Sequence, residues 1–411
     1  MKKSLLALAV LGAFAASAQA QSSVTIYGIL DTGIAYQSKA ATTGQTTNHS
    51  LFSMQSGIMS GSRFGFKGSE DLGGGLKANF QLEAGINVDN GQFSGADNSG
   101  STVMFRRIST VGLSGGFGSV NLGRQTDFAY SGLGGGGMTA FSSAGYFGGF
   151  TGTNGTTQAR LQGDRTNNSI RYDMNAIGGL TGGLMYGMGE QPGGGSAGSV
   201  YAAGLKYENG PFAVGGSYFK SKLGTTPADR ALYSGTSSTT LTSALTANPG
   251  DQGTSVSILG ASYNFGGAGK LYGNWSRVKM ATYGGTGNTF NNGSVGTTAL
   301  ATSANDRLDM YEIGYNYDLT ASLKLLTGYS RTNVHFTSGL PQGKLDQLSV
   351  GTDYFLSKRT DLYTLATYAR TSNVSNPLGL STSSPGATPT TANGGTTGGA
   401  YGVAVGIRHA F

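Results

Sequence analysis

The chain has no cysteine, 8 prolines, 3 histidines and 1 tryptophan, and its charged residues make up 11%, against about 25% in an ordinary soluble domain. Each shortage excludes something. Without cysteine there is no disulfide framework and no thiolate metal site. His49, His335 and His409 lack metal-ligand spacing, so no metal and no cofactor is expected. Past the first twenty residues no apolar run nears the roughly 20 that a membrane helix needs. With hydrophobic content at 37%, a helical membrane protein is excluded. Glycine is abundant instead, 72 of 411 residues, more than twice the usual ~7%, yet without the three-residue period of collagen. With 21 Tyr and 19 Phe, simple disorder does not fit.

Residues 1–20 read as a secretory signal peptide, cleaved from a single domain spanning 21–411. Lys2 and Lys3 form a basic start, Leu5–Ala16 an apolar stretch, and Ala18-Gln19-Ala20 a small-x-small cleavage site. Removal of both lysines lowers the formal charge by two from +7. An exported chain without cysteine needs some other closed network to hold it together.

The rest repeats one pattern: a segment alternating at period two, then a polar or glycine-rich break. Alternation marks strands with one apolar face. In Leu76–Asn87, Leu76, Ala78, Phe80, Leu82 and Ala84 share one face, and Lys77, Asn79, Gln81 and Glu83 the other. Sixteen such segments run from Ser22–Gln37 through Leu51–Ser69 to 400–411. Seven short breaks, such as Glu70–Gly75 and Ser114–Phe117, interleave with eight mostly longer ones. All eight prolines fall in breaks, as expected of a residue that cannot donate to a strand ladder. An even-stranded antiparallel barrel has this connectivity.

Several strands have the ~10–14 residues that a tilted strand needs to cross a bilayer. The polar faces, the long loops on one side, and aromatics near strand ends (Tyr311, Tyr315, Tyr317, Tyr354, Tyr368) favour a membrane barrel over a soluble sandwich. The barrel must then close, with strand one beside strand sixteen. At the end of the chain, Tyr401, Val403, Val405, Ile407, His409 and Phe411 share one face. Val405, Ile407 and the terminal Phe411 are similar to the C-terminal assembly signal of outer-membrane barrels.

Catalytic readings fail on context. Gly112–Gly116 matches a nucleophile elbow but sits in a strand-to-strand turn without a helix. Gly132–Gly137 matches G-x-G-x-x-G without a βαβ unit. The chain is basic, with pI near 9.3, but its cations are scattered through the strands, so no nucleic acid is expected. The chain is not expected to be an enzyme.

Five segments carry a resemblance: QSSVTIYGILD at Gln21–Asp31, SRFGFKGSEDLG at Ser62–Gly73, VGLSGGFG with GRQ at Val111–Gly118 and Gly123–Gln125, NSIRYD at Asn168–Asp173, and GIRHAF at Gly406–Phe411. Their order and spacing resemble the general porins of Gram-negative bacteria, in particular the betaproteobacterial branch. The resemblance covers essentially the whole mature chain. It implies an all-β, 16-stranded antiparallel transmembrane β-barrel in the outer membrane, assembled as a homotrimer among its lipids. The long third loop is implied to fold into the lumen. The implied function is a water-filled channel for passive diffusion of small hydrophilic solutes and ions. A solute-specific channel, or an adhesion or binding protein displaying loops on a barrel, is the alternative.

Strand parity places Arg63, Lys67, Lys77 and Arg171 on the lumen side. Arg106 and Arg107 are adjacent, so only one can face inward in a regular strand. Arg124 lies at the mouth of the third loop, Thr126–Arg165, with its parity open. Asp127 and Asp164 bracket that loop; between them stands Arg160 and no carboxylate. In the resembling family arginines on the wall face loop three, and Arg63, Arg171 and one of Arg106/Arg107 match those strands. Ion pairing with Asp31, Glu83 or Asp173 is the plainer use of these arginines. With a basic wall and an acid-free loop centre, the expected preference is for anions. N-terminal sequencing of the exported protein should begin at Gln21; an intact Met1 in the outer membrane would contradict the leader.

Overall fold

A computed structural model describes residues 23–40, 49–94, 103–128, 165–190, 192, 196, 198–222, 253–280, 307–335, 342–372 and 398–411. The strands are β1 (Ser23–Ala40), β2 (His49–Ser56), β3 (Arg63–Gly73), β4 (Leu76–Gly85), β5 (Ile108–Gly115), β6 (Gly118–Thr126), β7 (Arg165–Asp173), β8 (Leu180–Gly187) and β9 (Val200–Asn209). They continue with β10 (Phe212–Lys222), β11 (Gly253–Asn264), β12 (Lys270–Met280), β13 (Arg307–Asp318), β14 (Leu323–His335), β15 (Gly343–Phe355), β16 (Thr360–Ser372) and β17 (Gly398–Ala410). All neighbours are antiparallel, and β1 pairs with β17 from Ile29↔Ala410 to Gln37↔Gly402. The sheet is therefore closed.

Seventeen segments occupy sixteen places in the wall. The sequence pattern predicts one strand over Leu51–Ser69; the chain splits it into β2 and β3. β2 pairs with the later half of β1 (Thr32↔Ser56 to Ala40↔His49), and β3 with the earlier half (Ser23↔Ser69 to Ile29↔Arg63). Between them Gly57–Ser62 leaves the wall and turns inward, beginning at Gly57 with φ +71. Ile58 and Met59 are buried against Ala35, Leu326, Tyr363, Leu365 and Ala404. This apolar group lies on the inner face, where parity alone predicts only polar residues.

Asp31 holds that inward segment. Its carboxylate is fully buried and accepts from the backbone N–H groups of Met59 (2.9 Å) and Ser60 (2.6 Å) and from the Tyr363 hydroxyl (2.6 Å). Its carbonyl accepts from Gly57 N–H (2.7 Å) and the Ser62 hydroxyl (2.9 Å). Tyr363 reaches across β17 to do this, and Gly406 makes the room: a Cβ there would stand 2.2 Å from the tyrosine oxygen. Arg408 adds a bond to Ser60 Oγ (2.9 Å) and contacts to Asp361 (3.1 Å) and Asp353 (3.2 Å).

Side chains alternate across the wall as the pattern predicts. On β17, Tyr401, Val403, Val405 and Ile407 are exposed on the outer face while Gly402, Ala404 and Gly406 are buried. Val24, Ile26, Val111, Leu184, Leu259 and Ile313 are likewise exposed outside. So much apolar surface around a whole protein is untenable in water and required in hydrocarbon. The last residue closes the seam: Phe411 and Gly28 exchange backbone bonds of 3.1 Å each way, and the Phe411 ring lies over Gly28.

Replacing Asp31 with Ala should orphan two buried amides and a hydroxyl and cost about 3 kcal/mol or more. Tyr363→Phe should cost about 1 kcal/mol. Thermal unfolding in detergent, followed by loss of the folded band on gels, checks the order; equal midpoints for all three proteins would refute it.

Candidate pore constriction

The inner face of β3 and β4 and the approach to β5 converge on one carboxylate. Glu83 is buried on β4. Arg107 Nε donates to it at 2.6 Å, Arg63 Nε lies 3.8 Å away, and the Tyr27 hydroxyl donates at 3.0 Å. Gln81 Nε2 donates to the same hydroxyl at 2.7 Å. Two guanidinium groups thus share one carboxylate. Arg63 Nη1 also bonds the Gly61 carbonyl at 3.0 Å, which ties the pair to the inward Gly57–Ser62 segment.

Arg106 and Arg107 both precede β5, so the parity rule of a regular strand does not choose between them. The choice is made by partners: Arg107 joins Glu83, while Arg106 offers its carbonyl to Arg124 Nε. Arg124 also donates to Asn167 Oδ1. Its direction follows from an irregularity. Pairing slips between Gly123 and Gln125, so that Ser169 faces Gly123 but Thr166 faces Gln125. Gly123 takes φ +125 and Asn168 φ +51. Bulges re-aim side chains next to functional sites.

Arg171 belongs to a second group on β7. It clasps Asp173 through Nε (2.9 and 3.1 Å) and Nη2 (2.7 Å), and its Nη1 donates to the Thr126 carbonyl at 2.8 Å. Its guanidinium lies 4.1 Å over the ring of Phe128, which is buried beside the buried Asp127. Arg171 therefore fixes the point where the third loop leaves the wall. Residues 129–164, including Arg160 and Asp164, lie outside the described residues, as does the course of that loop.

Lys67 and Lys77 are exposed on the inner face, with Lys67 Nζ 5.3 Å from the centre of the Tyr27 ring. Lys67, Asn79, Gln81, Gln125, Arg171 and Asp173 line part of a 430 Å³ hollow against this wall. Sequence reasoning did not single out Tyr27 and Gln81. Tyr27 alternates with outward Ile26 and Gly28, so its inward direction was readable; its bond to Glu83 was not, since it joins strands 56 residues apart.

A closed barrel with an apolar exterior and a polar, arginine-bearing interior defines a transmembrane pore protein. The comparisons agree. A model of the Gram-negative porin family matches residues 7–375. The chain is 35% identical over 416 residues to outer membrane porin protein 32 of Delftia acidovorans, covering all of both chains. It is 33% identical over 402 residues to an outer membrane porin protein of Bordetella pertussis, covering 90% of this chain and 94% of that one. Among solved structures it is similar to an anion-selective porin from Comamonas acidovorans, with TM-score 0.66, 27% identity, and coverage of 95% and 100%. The chain belongs to the Gram-negative porin family. It is an outer-membrane channel for passive diffusion, and the family and fold are those of channels.

Proposed function

We propose that the channel prefers anions. The observation carrying this reading is the convergence of Arg63 and Arg107 on the single carboxylate of Glu83. Lys67 and Lys77 add to it on the same face. Arg124 supports the site beside them, and Arg106 positions Arg124. Asp127, Arg160 and Asp164 belong to the third loop, which on this reading would supply the opposing side; of these only Asp127 lies among the described residues. Arg171, clasped by Asp173, contributes to loop anchoring more than to the field. The anion selectivity named for the Comamonas porin supports the same sign.

In a narrow aqueous passage a fixed positive field attracts anions and repels cations, and salt screens it, with a Debye length near 10 Å at 0.1 M and 3 Å at 1 M. The reversal potential of a planar bilayer under a KCl gradient should show chloride preference, stronger at low salt. Arg63→Ser with Arg107→Ser should move it toward zero or past it, Glu83→Gln should strengthen chloride preference, and Arg171→Ser should change it less. A cation-selective parent channel, or an unchanged potential in the double variant, would overturn the assignment.

We also propose a homotrimer, whose interface is the side carrying the seam. From Val24 to Tyr36 on β1 and from Tyr401 to Ile407 on β17, no outward residue is charged. Phe52, Met54, Phe64 and Phe66 continue that face on β2 and β3. Val405, Ile407 and Phe411 at its end serve as the assembly signal. Native mass measurement in mild detergent should give three copies; monomers alone would contradict this.

A further inference from the structure

Beside the seam, on the inner face toward the short-turn end, three acids gather around one arginine. Asp31 stands on β1, Asp353 near the end of β15, Asp361 at the start of β16 and Arg408 near the end of β17. All three carboxylates are buried. Register brings the groups together. Arg408 stands opposite Asp31 on one side and Asp361 on the other, and Asp353 stands opposite Tyr363. On the outer face the adjoining Tyr354 and Leu362 are exposed, and such rings mark the headgroup level. The cluster therefore sits at the end of the wall and not at mid-membrane.

The donors do not cover the acids. Asp31 is met by two amides and the Tyr363 hydroxyl. Arg408 gives Nε to Asp361 Oδ1 (3.1 Å), Nη2 to Asp353 Oδ2 (3.2 Å) and Nη1 to Ser60 Oγ (2.9 Å). Asp353 Oδ1 and Asp361 Oδ2 are left buried, with no donor among the described residues. Yet the two carboxyl groups lie within hydrogen-bond reach of each other. Lys324 of β14 stands opposite Asp353 in register. Its Nζ lies 3.5 Å from Asp318 and 5.6 Å from the centre of the Phe355 ring, with 45% of the side chain exposed. Lys358 and Arg359 of the adjoining turn are exposed.

A buried carboxylate oxygen without a donor is costly, and two carboxylates in one site resolve this by keeping a proton between them. We propose that Asp353 and Asp361 share one proton at neutral pH, and that this proton is a pH-sensitive latch on the inward Gly57–Ser62 segment. With the proton in place, the O–H of one acid donates to the other. The pair then carries one negative charge, matched by Arg408, whose third donor stays on Ser60. In base the proton passes to lumen water. The second charge then draws the guanidinium onto the acids and away from Ser60. Ser60 adjoins Gly61, whose carbonyl holds Arg63, so the constriction lies on the same chain of contacts. The sign follows from the proton count. An unfolded aspartate releases its proton near pH 4, whereas the folded pair keeps one. Stability should therefore fall as pH rises, by up to about tenfold in the folding equilibrium per pH unit, until the pair has lost its proton.

The test uses the purified full protein in detergent between about pH 5 and pH 10, read by infrared spectroscopy and by the thermal midpoint. At neutral pH the parent should show the carbonyl band of a protonated carboxylic acid, and should lose it in base as its midpoint falls. D353N keeps the shape and puts an N–H donor where the shared proton was. It should lack the band and hold its midpoint where the parent's falls. D361N should behave alike and serves if D353N does not fold; the parent's band decides if neither folds. In a planar bilayer the parent's reversal potential should move toward potassium as the proton is lost, whichever ion the parent prefers, and D353N should hold steady. No carboxylic acid band in the parent at neutral pH, an equal fall of midpoint in parent and folded variant, or a parental reversal potential indifferent to pH would overturn the proposal.

Discussion

A strand edge exposed to hydrocarbon leaves its amides and carbonyls without partners, at several kcal/mol each. The ladder between Ile29–Gln37 of β1 and Gly402–Ala410 of β17 removes that edge, and the rest of the structure depends on it. One strand has to serve two neighbours over 18 residues. On one side it meets the end of the chain; on the other it meets β3 along its first half and β2 along its second. No disulfide can share this task in a chain without cysteine. Closure therefore rests on hydrogen bonds, and on the fit of Phe411 over Gly28.

The seam also builds the pore. Where β1 changes partner, Asp31 draws Gly57–Ser62 inward. Ser60, inside that segment, meets Arg408 of β17; Gly61 meets Arg63, which in turn shares Glu83 with Arg107. A chain of short contacts thus runs from the closing ladder to the arginines of the wall. Those arginines are positioned through Glu83, Tyr27 and Gly61 together, so their geometry is fixed by long-range closure more than by their own strands.

Much of this was legible in the sequence because a barrel is a periodic object. Period-two alternation located all sixteen wall strands, and the interleaving of seven short breaks with longer ones gave their pairing order. What alternation could not give was anything that breaks the period. Leu51–Ser69 reads as one strand because Ile58 and Met59 look like any apolar pair; only the buried carboxylate of Asp31, from another strand, turns them inward. The bulge at Gly123–Gln125 escaped for the same reason, and with it the direction of Arg124. Parity placed Arg63 and Arg171 inward, but their partners are set by register across strands, where Glu83 and Asp173 make two differently balanced groups.

The same residue type does opposite work on the two sides of this wall, and the surroundings decide which. Inside, acids hold the guanidinium groups in place: Glu83 is shared between Arg63 and Arg107, and Asp173 is clasped by Arg171. Outside, an arginine at mid-membrane would cost ~2–4 kcal/mol, falling to ~0–1 near the interface. That gradient accounts for the sorting on β12–β16, where apolar residues occupy the middle and the short-turn end and cations occupy only the long-loop end. It also separates the two sides of the barrel. The outward residues around the seam, among them Phe52, Met54, Val403 and Val405, are uncharged. The outer face of β12–β16 ends in charge at its long-loop end. Alternation within a strand distinguishes lumen from lipid, and the height at which charge begins along the outer face differs between the side carrying the seam and the side of β12–β16.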